Sequence, residues 1–195
     1  MIRRSPLVRT ALAASVIALA GVSLGAAATA SAAPRAASSY SCHGKTATIV
    51  GTTGSDEIEG TSGNDVIVAL AGNDEIDGNG GSDTICGGSG NDEIDGGSGN
   101  DWISGSTGRD EISGDGGNDK LYGNDGADDI DGGYGNDSIR GGKGSDELEG
   151  SAGRDVIRGD SGHDKIEGGS GKDKLSGGSG RDRIYANEHR SGDDD

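Results

Sequence analysis

From Gly51 to Tyr185 the chain divides into fifteen nonapeptides with no insertion, and nothing else in the sequence restricts its fold as strongly. Gly87 to Asp95, GGSGNDEID, is representative. Position 4 is Gly in all fifteen units, from Gly54 to Gly180. Position 6 is Asp in all fifteen, and position 8 is Ile except at Leu121, Leu148 and Leu175. Position 1 is Gly except at Ala69, and position 2 is looser: Gly, Thr, Ser, Asn, Asp or Leu70. Compositional bias cannot hold three positions in register over fifteen units. A short, strict period is the mark of a stacked architecture.

Each fixed position has a physical reason. Gly at positions 1 and 4 permits positive φ and close backbone approach, so the first six residues are predicted to form a tight turn. Positions 7 to 9 make a short strand with one inward apolar residue, at position 8. One such unit buries nothing alone, so units must stack. Two units per coil set the position 8 side chains of opposite sides face to face. The predicted fold is all-β: a right-handed parallel β-roll of 18 residues per coil. Fifteen units make about 7.5 coils, roughly 35 Å long at ~4.8 Å per strand spacing.

Composition supports a thin core and a metal. Of 195 residues 41 are Gly and none is Phe, and 29% are apolar, against about half in an ordinary domain. Asp plus Glu number 34 against 17 Lys plus Arg. That balance argues against nucleic acid as a partner, since phosphate recognition needs clustered Lys and Arg. Stacking also places the position 6 carboxylates in two rows, where like charges repel. A divalent cation between coils removes that penalty. The candidate ligands are Asp56, Asp65, Asp74, Asp83, Asp92, Asp101, Asp110, Asp119, Asp128, Asp137, Asp146, Asp155, Asp164, Asp173 and Asp182. With carboxylate and carbonyl oxygens as donors, the ion expected is Ca²⁺, which takes 6 to 8 such ligands in flexible geometry. Zinc would want His or Cys, and His43, His163 and His189 are scattered. His163, at position 5 of its unit, reads as a solvated turn residue.

The pattern G-G-x-G-x-D-x-U-x resembles the RTX, or hemolysin-type, calcium-binding repeat. The resemblance covers residues 51 to 185. It implies a parallel β-roll with Ca²⁺ between turns n and n+2. One turn would offer the carbonyls of positions 2 and 4 and its Asp; the next on that side would offer the carbonyls of positions 1 and 3 and its own Asp. For Asp92 and Asp110 the carbonyls are those of Gly88, Gly90, Gly105 and Thr107. Fifteen turns give up to about thirteen ions. Leu70, a large residue at position 2, puts its turn in doubt.

The ends differ from the middle. Residues 1–32 read as a secretory signal peptide: Arg3, Arg4 and Arg9, an apolar run from Ala11 to Leu24, then Ala30-Ser31-Ala32. The apolar run is shorter than the ~20 residues of a membrane span, so no span is expected in the mature chain. Arg3-Arg4 alone is a weak pointer to twin-arginine export. The expected location is secreted and extracellular, where disulfides persist. Residues 33–50 are expected to cap the roll, with a strand over 46–50 and residues 36–48 folded back across an outer stripe of Val66, Val68, Cys86, Trp102 and Tyr122; a partner-binding patch is the alternative. Cys42 and Cys86 are the only cysteines and would pair if that segment crosses the coils. Residues 186–195 form a polar acidic tail.

No enzyme is expected. Residues 33–195 hold no H-E-x-x-H, no G-x-S-x-G, no G-x-G-x-x-G and no EF-hand loop. Ice binding would want a Thr ladder, and the outward positions 7 and 9 carry Thr only at Thr84. Calcium binding is the expected activity, with calcium-dependent adhesion or a matrix role as the alternative. The sequence names no protein or cell-surface partner.

Overall fold

A computed structural model describes residues 39–186; the expected leader, residues 1–32, and all but the first residue of the tail lie outside them. The repeats fold as a parallel β-roll. Odd-numbered units build one sheet of eight three-residue strands, from Glu57–Glu59 to Arg183–Tyr185. Even-numbered units build the facing sheet, which runs from Ile49–Val50 through Val66–Ala71 and onward to Lys174–Ser176. Every pairing inside the roll is parallel and offset by 18 residues, as in Ile94 beside Ile112 and Ile85 beside Ile103. Two nonapeptides per coil is therefore the observed register.

The core is the single apolar position of each unit. Ile58, Ile67, Ile76 and their successors to Ile166 stack between the sheets and are buried, most of them completely. An identical residue recurs at the same height in each coil, so every added coil buries its neighbour's side chain and no bulky residue is needed.

The strands are less uniform than the period. Those of even units 2 to 12 run on through position 3 or 4 of the next unit, as in Trp102–Thr107 and Ser138–Gly144, whereas those of the odd units stop at position 9. Position 2, loose in residue choice, is constrained in conformation. It takes positive φ in every unit from the third on, as at Ser106 (φ 84), Asp115 (φ 58) and Asn124 (φ 79). Leu70 adopts the same conformation (φ 84), and its strand keeps one register with the next on both sides of Ala69, Val68 beside Cys86 and Leu70 beside Gly88. The doubt about that turn is resolved: the strand bends at position 2, and the Leu70 side chain packs under the N-terminal segment.

That segment differs from the expected capping strand. Ser41–Cys42 and Lys45–Thr46 pair antiparallel as a hairpin closed by His43 and Gly44, both at positive φ, as tight two-residue hairpin turns require. Only Ile49–Val50 joins the roll, beside Ile67 and Val68. The strand expected over 46–50 is split because Thr46 pairs backward with Ser41 before the chain turns into the first coil. The fold-back does occur within the described residues. Cys42 and Ala47 pack on Val68, with Tyr40, Val66, Cys86 and Trp102 around them. His43 stacks on Trp102 at 4.3 Å, and Lys45 donates to the Thr84 hydroxyl. Cys42 and Cys86 form a disulfide with Cα atoms 5.9 Å apart, made possible because the hairpin crosses the coils instead of continuing them.

Candidate metal centre

The position 6 carboxylates occupy the inner edge of each turn. Asp65 and every candidate from Asp74 to Asp164 are buried; Asp56, Asp173 and Asp182, in the end coils, are half-exposed. One oxygen of each carboxylate is used by the fold. The Asp92 amide donates to Asp110 Oδ1 at 3.0 Å, the Asp101 amide to Asp119 Oδ1 at 2.8 Å, and the pattern repeats from Asp56 to Asp182. Each Asp thus ties its coil to the one before.

In the first two units the second oxygen accepts from the Thr52 and Thr61 amides; further along the roll it has no protein partner. Among the described residues, Oδ2 is buried and unpartnered in eleven carboxylates, those of Asp74 to Asp164. Burial of a charge without compensation is costly, and it pushes the carboxyl pKa up. Burial raises Asp110 and Asp119 to about 7, and Asp101, Asp137 and Asp146 to about 6; the amide bond from the preceding coil lowers each, and neighbouring carboxylates raise it further.

The glycines of positions 1 and 4 are required for two different reasons. Position 1 does not need positive φ, contrary to the sequence reading. Its constraint is space: a Cβ on Gly87 would stand 2.5 Å from Asp92 Oδ2 and 3.1 Å from the Gly105 carbonyl oxygen. From the third unit on, position 4 needs space and, except at Gly126, conformation as well: Gly108 (φ 132) lies over the Gly90 carbonyl oxygen, where a Cβ would overlap it.

The carbonyls named by the repeat pattern lie along the seam between the same two coils. Between repeats five and seven, the Gly90 carbonyl faces forward to Gly108, and the Gly105 carbonyl faces back to Gly87. The Thr107 carbonyl also faces back, accepting from the Gly90 amide at 2.9 Å, and the Gly88 carbonyl accepts from the Thr107 hydroxyl at 3.4 Å. Asp92 and Asp110 belong to the same two coils, so the donors available along this seam are oxygens. No group of three His, Cys, Asp or Glu side chains converges among the described residues. Any ion held here rests on two carboxylates and on main-chain oxygens. Such a lining is too hard for zinc and well matched to a large divalent cation.

Two features of the surface were not read from the sequence. Position 5 forms side-chain ladders along both edges: Asn73 Oδ1 accepts from the Asn91 amide, and Asn91 Oδ1 from the Arg109 amide. His163 is exposed as expected, but its Nδ1 takes the same role toward the Arg181 amide. Charge also segregates by repeat parity. In units 1 to 11 the odd sheet carries Glu or Asp at every outward position 7 and 9 except Ser113; the even sheet carries no acid at these positions. Parity becomes visible only once two units are known to make one coil.

A family model described as "RTX calcium-binding nonapeptide repeat (4 copies)" matches residues 50–85, 59–94, 87–121, 95–130, 122–157, 131–166 and 158–188. No curated protein matches the chain.

Proposed function

The chain belongs to the family of RTX calcium-binding nonapeptide repeats, and from that premise we propose that it is a secreted protein whose roll folds on binding Ca²⁺. The repeats bind calcium. The observation that carries the coupling to folding is the row of eleven buried Oδ2 atoms without a partner. A coil cannot close without bringing these oxygens together, and Ca²⁺ supplies the compensating charge. The ligands of each ion are the position 6 Asp of turns n and n+2, with carbonyls of positions 2 and 4 below and 1 and 3 above; between repeats five and seven these are Asp92, Asp110, Gly88, Gly90, Gly105 and Thr107. Up to about thirteen ions fit this scheme.

Secretion is supported by the leader-like sequence of residues 1–32 and by the disulfide, a bond that persists in oxidising compartments. Extracellular calcium modules bind at about 10⁻⁴–10⁻³ M, which suits a chain unfolded before export and folded after it. The role is binding and not catalysis: the carboxylates are ligands in register, and residues 33–195 hold neither H-E-x-x-H nor G-x-S-x-G. Circular dichroism of the mature protein should pass from coil to β on addition of millimolar Ca²⁺ and return with EDTA. A β spectrum indifferent to EDTA would refute the coupling.

A further inference from the structure

The two ends of the roll are complementary to each other. At the C-terminal end Ile184 and Tyr185 are each 46% exposed, whereas Ile157 and Ile166, at the same inward position as Ile184, are completely buried. Among the described residues Arg183–Tyr185 and Lys174–Ser176 are the last strands of their sheets, each with one unpaired edge. Nothing in the tail can continue the pattern. Numbered as a repeat from Ala186, it would put His189 at position 4, Ser191 at position 6 and Asp193 at position 8, and it holds no Val, Ile or Leu.

The N-terminal end begins with the strands that would follow. Ile49–Val50 is the first strand of the even sheet and Glu57–Glu59 the first of the odd sheet, each with its outer edge unpaired among the described residues. The last two units are one even and one odd, and Ile49–Val50 followed by Glu57–Glu59 restarts that alternation in phase. Continued across the junction, the 18-residue register sets Arg183 opposite Glu57, Ile184 opposite Ile58 and Leu175 opposite Ile49. Charge agrees: the final coil carries Lys172, Lys174, Arg181 and Arg183, and the first carries Asp56, Glu57 and Glu59. The hairpin does not stand in the way, because it lies on the outer face over Val68, Thr84 and Trp102.

We propose that the C-terminal end of one roll stacks on the N-terminal end of a second copy, and that Asp182 of the first and Asp56 of the second complete a calcium site at the junction. The site rests on the calcium reading above. Within the roll each Asp amide donates to the Asp 18 residues on, ending with the Asp164 amide on Asp182 at 3.1 Å. Among the described residues the Asp182 amide has no Asp above it; Asp56 of a second copy takes that place. A head-to-tail contact of this kind does not close on itself, so the product is a linear array.

Charge reversal at the junction tests this. The mature protein in millimolar Ca²⁺ should gain roughly twofold or more in weight-average mass across the micromolar range in sedimentation equilibrium. Arg183→Glu and Glu57→Arg should each stay monomeric, because each sets like charges together. An equimolar mixture of the two variants should associate again, because the acid introduced in one then meets the base introduced in the other. Circular dichroism on the same samples reports folding separately. A wild-type protein that is β by circular dichroism yet monomeric would overturn the stacking and leave the calcium reading intact; such an end is covered by the protein's own tail or by solvent. Association that survives either reversal, or a mixture that does not recover, would overturn it too. A chain with no calcium response in circular dichroism would bring down the calcium reading and the shared site together.

Discussion

At the scale of single residues, neighbouring glycines carry very different constraints. A Cβ on Gly117 (φ 147) would overlap the Gly99 carbonyl oxygen one coil below, whereas a Cβ on Gly116 would meet nothing within 4 Å. Gly117→Ala must push two coils apart and hold Ala in a conformation that L-residues resist, which should cost about 1–3 kcal/mol. Gly116→Ala should be near neutral. Thermal melts in saturating Ca²⁺ would compare them, and equal melting temperatures would contradict the assignment. The Asp carboxyls make a second prediction. Burial first of all, with neighbouring carboxylates adding to it, raises Asp110 and Asp119 to about 7 in the metal-free roll, against about 3.9 in an unfolded chain. A raised folded pKa means that the folded form prefers the proton. The stabilisation is complete below the unfolded value and is lost as pH rises through the folded one. In EDTA, β structure should therefore grow as pH falls from about 7.5 toward about 4, the proton doing in part what Ca²⁺ does at neutral pH. A metal-free chain that stays coil throughout that range in circular dichroism would count against it.

At the scale of elements, the N-terminal hairpin is held by one covalent bond and a small apolar patch. The Cys42–Cys86 bond joins residues 44 apart in sequence, closing a loop worth about 4 kcal/mol in lost chain entropy. Trp102 is the only tryptophan and stacks on His43 at the hairpin turn. Reduction in the presence of Ca²⁺ should release the hairpin, shift Trp102 emission to the red and lower the melting temperature, while far-ultraviolet circular dichroism keeps the β signal of the roll. Unchanged emission after complete reduction would mean that packing alone holds the hairpin. This element also marks the limit of what the sequence makes legible. The roll, its 18-residue register and the inward Asp row follow from three repeated positions, because fifteen copies of one pattern admit few packings. The hairpin occurs once. Its apolar targets, Val66, Val68 and Trp102, are visible as an outward stripe, but nothing in Thr46 shows whether it pairs forward with the coil or backward with Ser41. Position 2 was hidden for a related reason: Gly, Asn, Asp, Ser and Leu look like tolerance until each is seen at positive φ. The clearance around Oδ2, which explains position 1, needs the neighbouring coil's backbone in place.

At the scale of the whole molecule, the sites repeat but their surroundings change along the axis. Residues 51–140 contain 21 acids and 3 bases, and residues 141–185 contain 9 acids and 8 bases. Position 5, at the turn tip beside each Asp, is Arg154, His163, Lys172 and Arg181 in the last four units, whereas earlier units carry mainly Asn or Ser. An exposed charge a few ångströms from a site shifts its potential by about 1 kcal/mol or less, and salt weakens the effect. Several together reach the ~1.4 kcal/mol that changes affinity tenfold. The ends differ in packing as well. The first coils are pinned by the hairpin and its disulfide, while at the other end Leu175 is only partly buried and Ile184 is open to solvent. A coil orders most readily on a neighbour already in place, so the pinned end offers the template and the stronger field for Ca²⁺. Calcium should order the roll from the hairpin toward Tyr185, leaving the last units to fray when Ca²⁺ is limiting. Hydrogen exchange during a Ca²⁺ titration reads this directly, comparing peptides from 51–140 with those from 141–185. The protein must be dilute, so that stacking on a second copy does not protect the open end. Protection should arise at lower Ca²⁺ in the first group, with the gap narrowing as salt is raised. A single midpoint along the chain, or earlier protection in the second group, would show that neither the charge gradient nor the pinned end directs the order of folding.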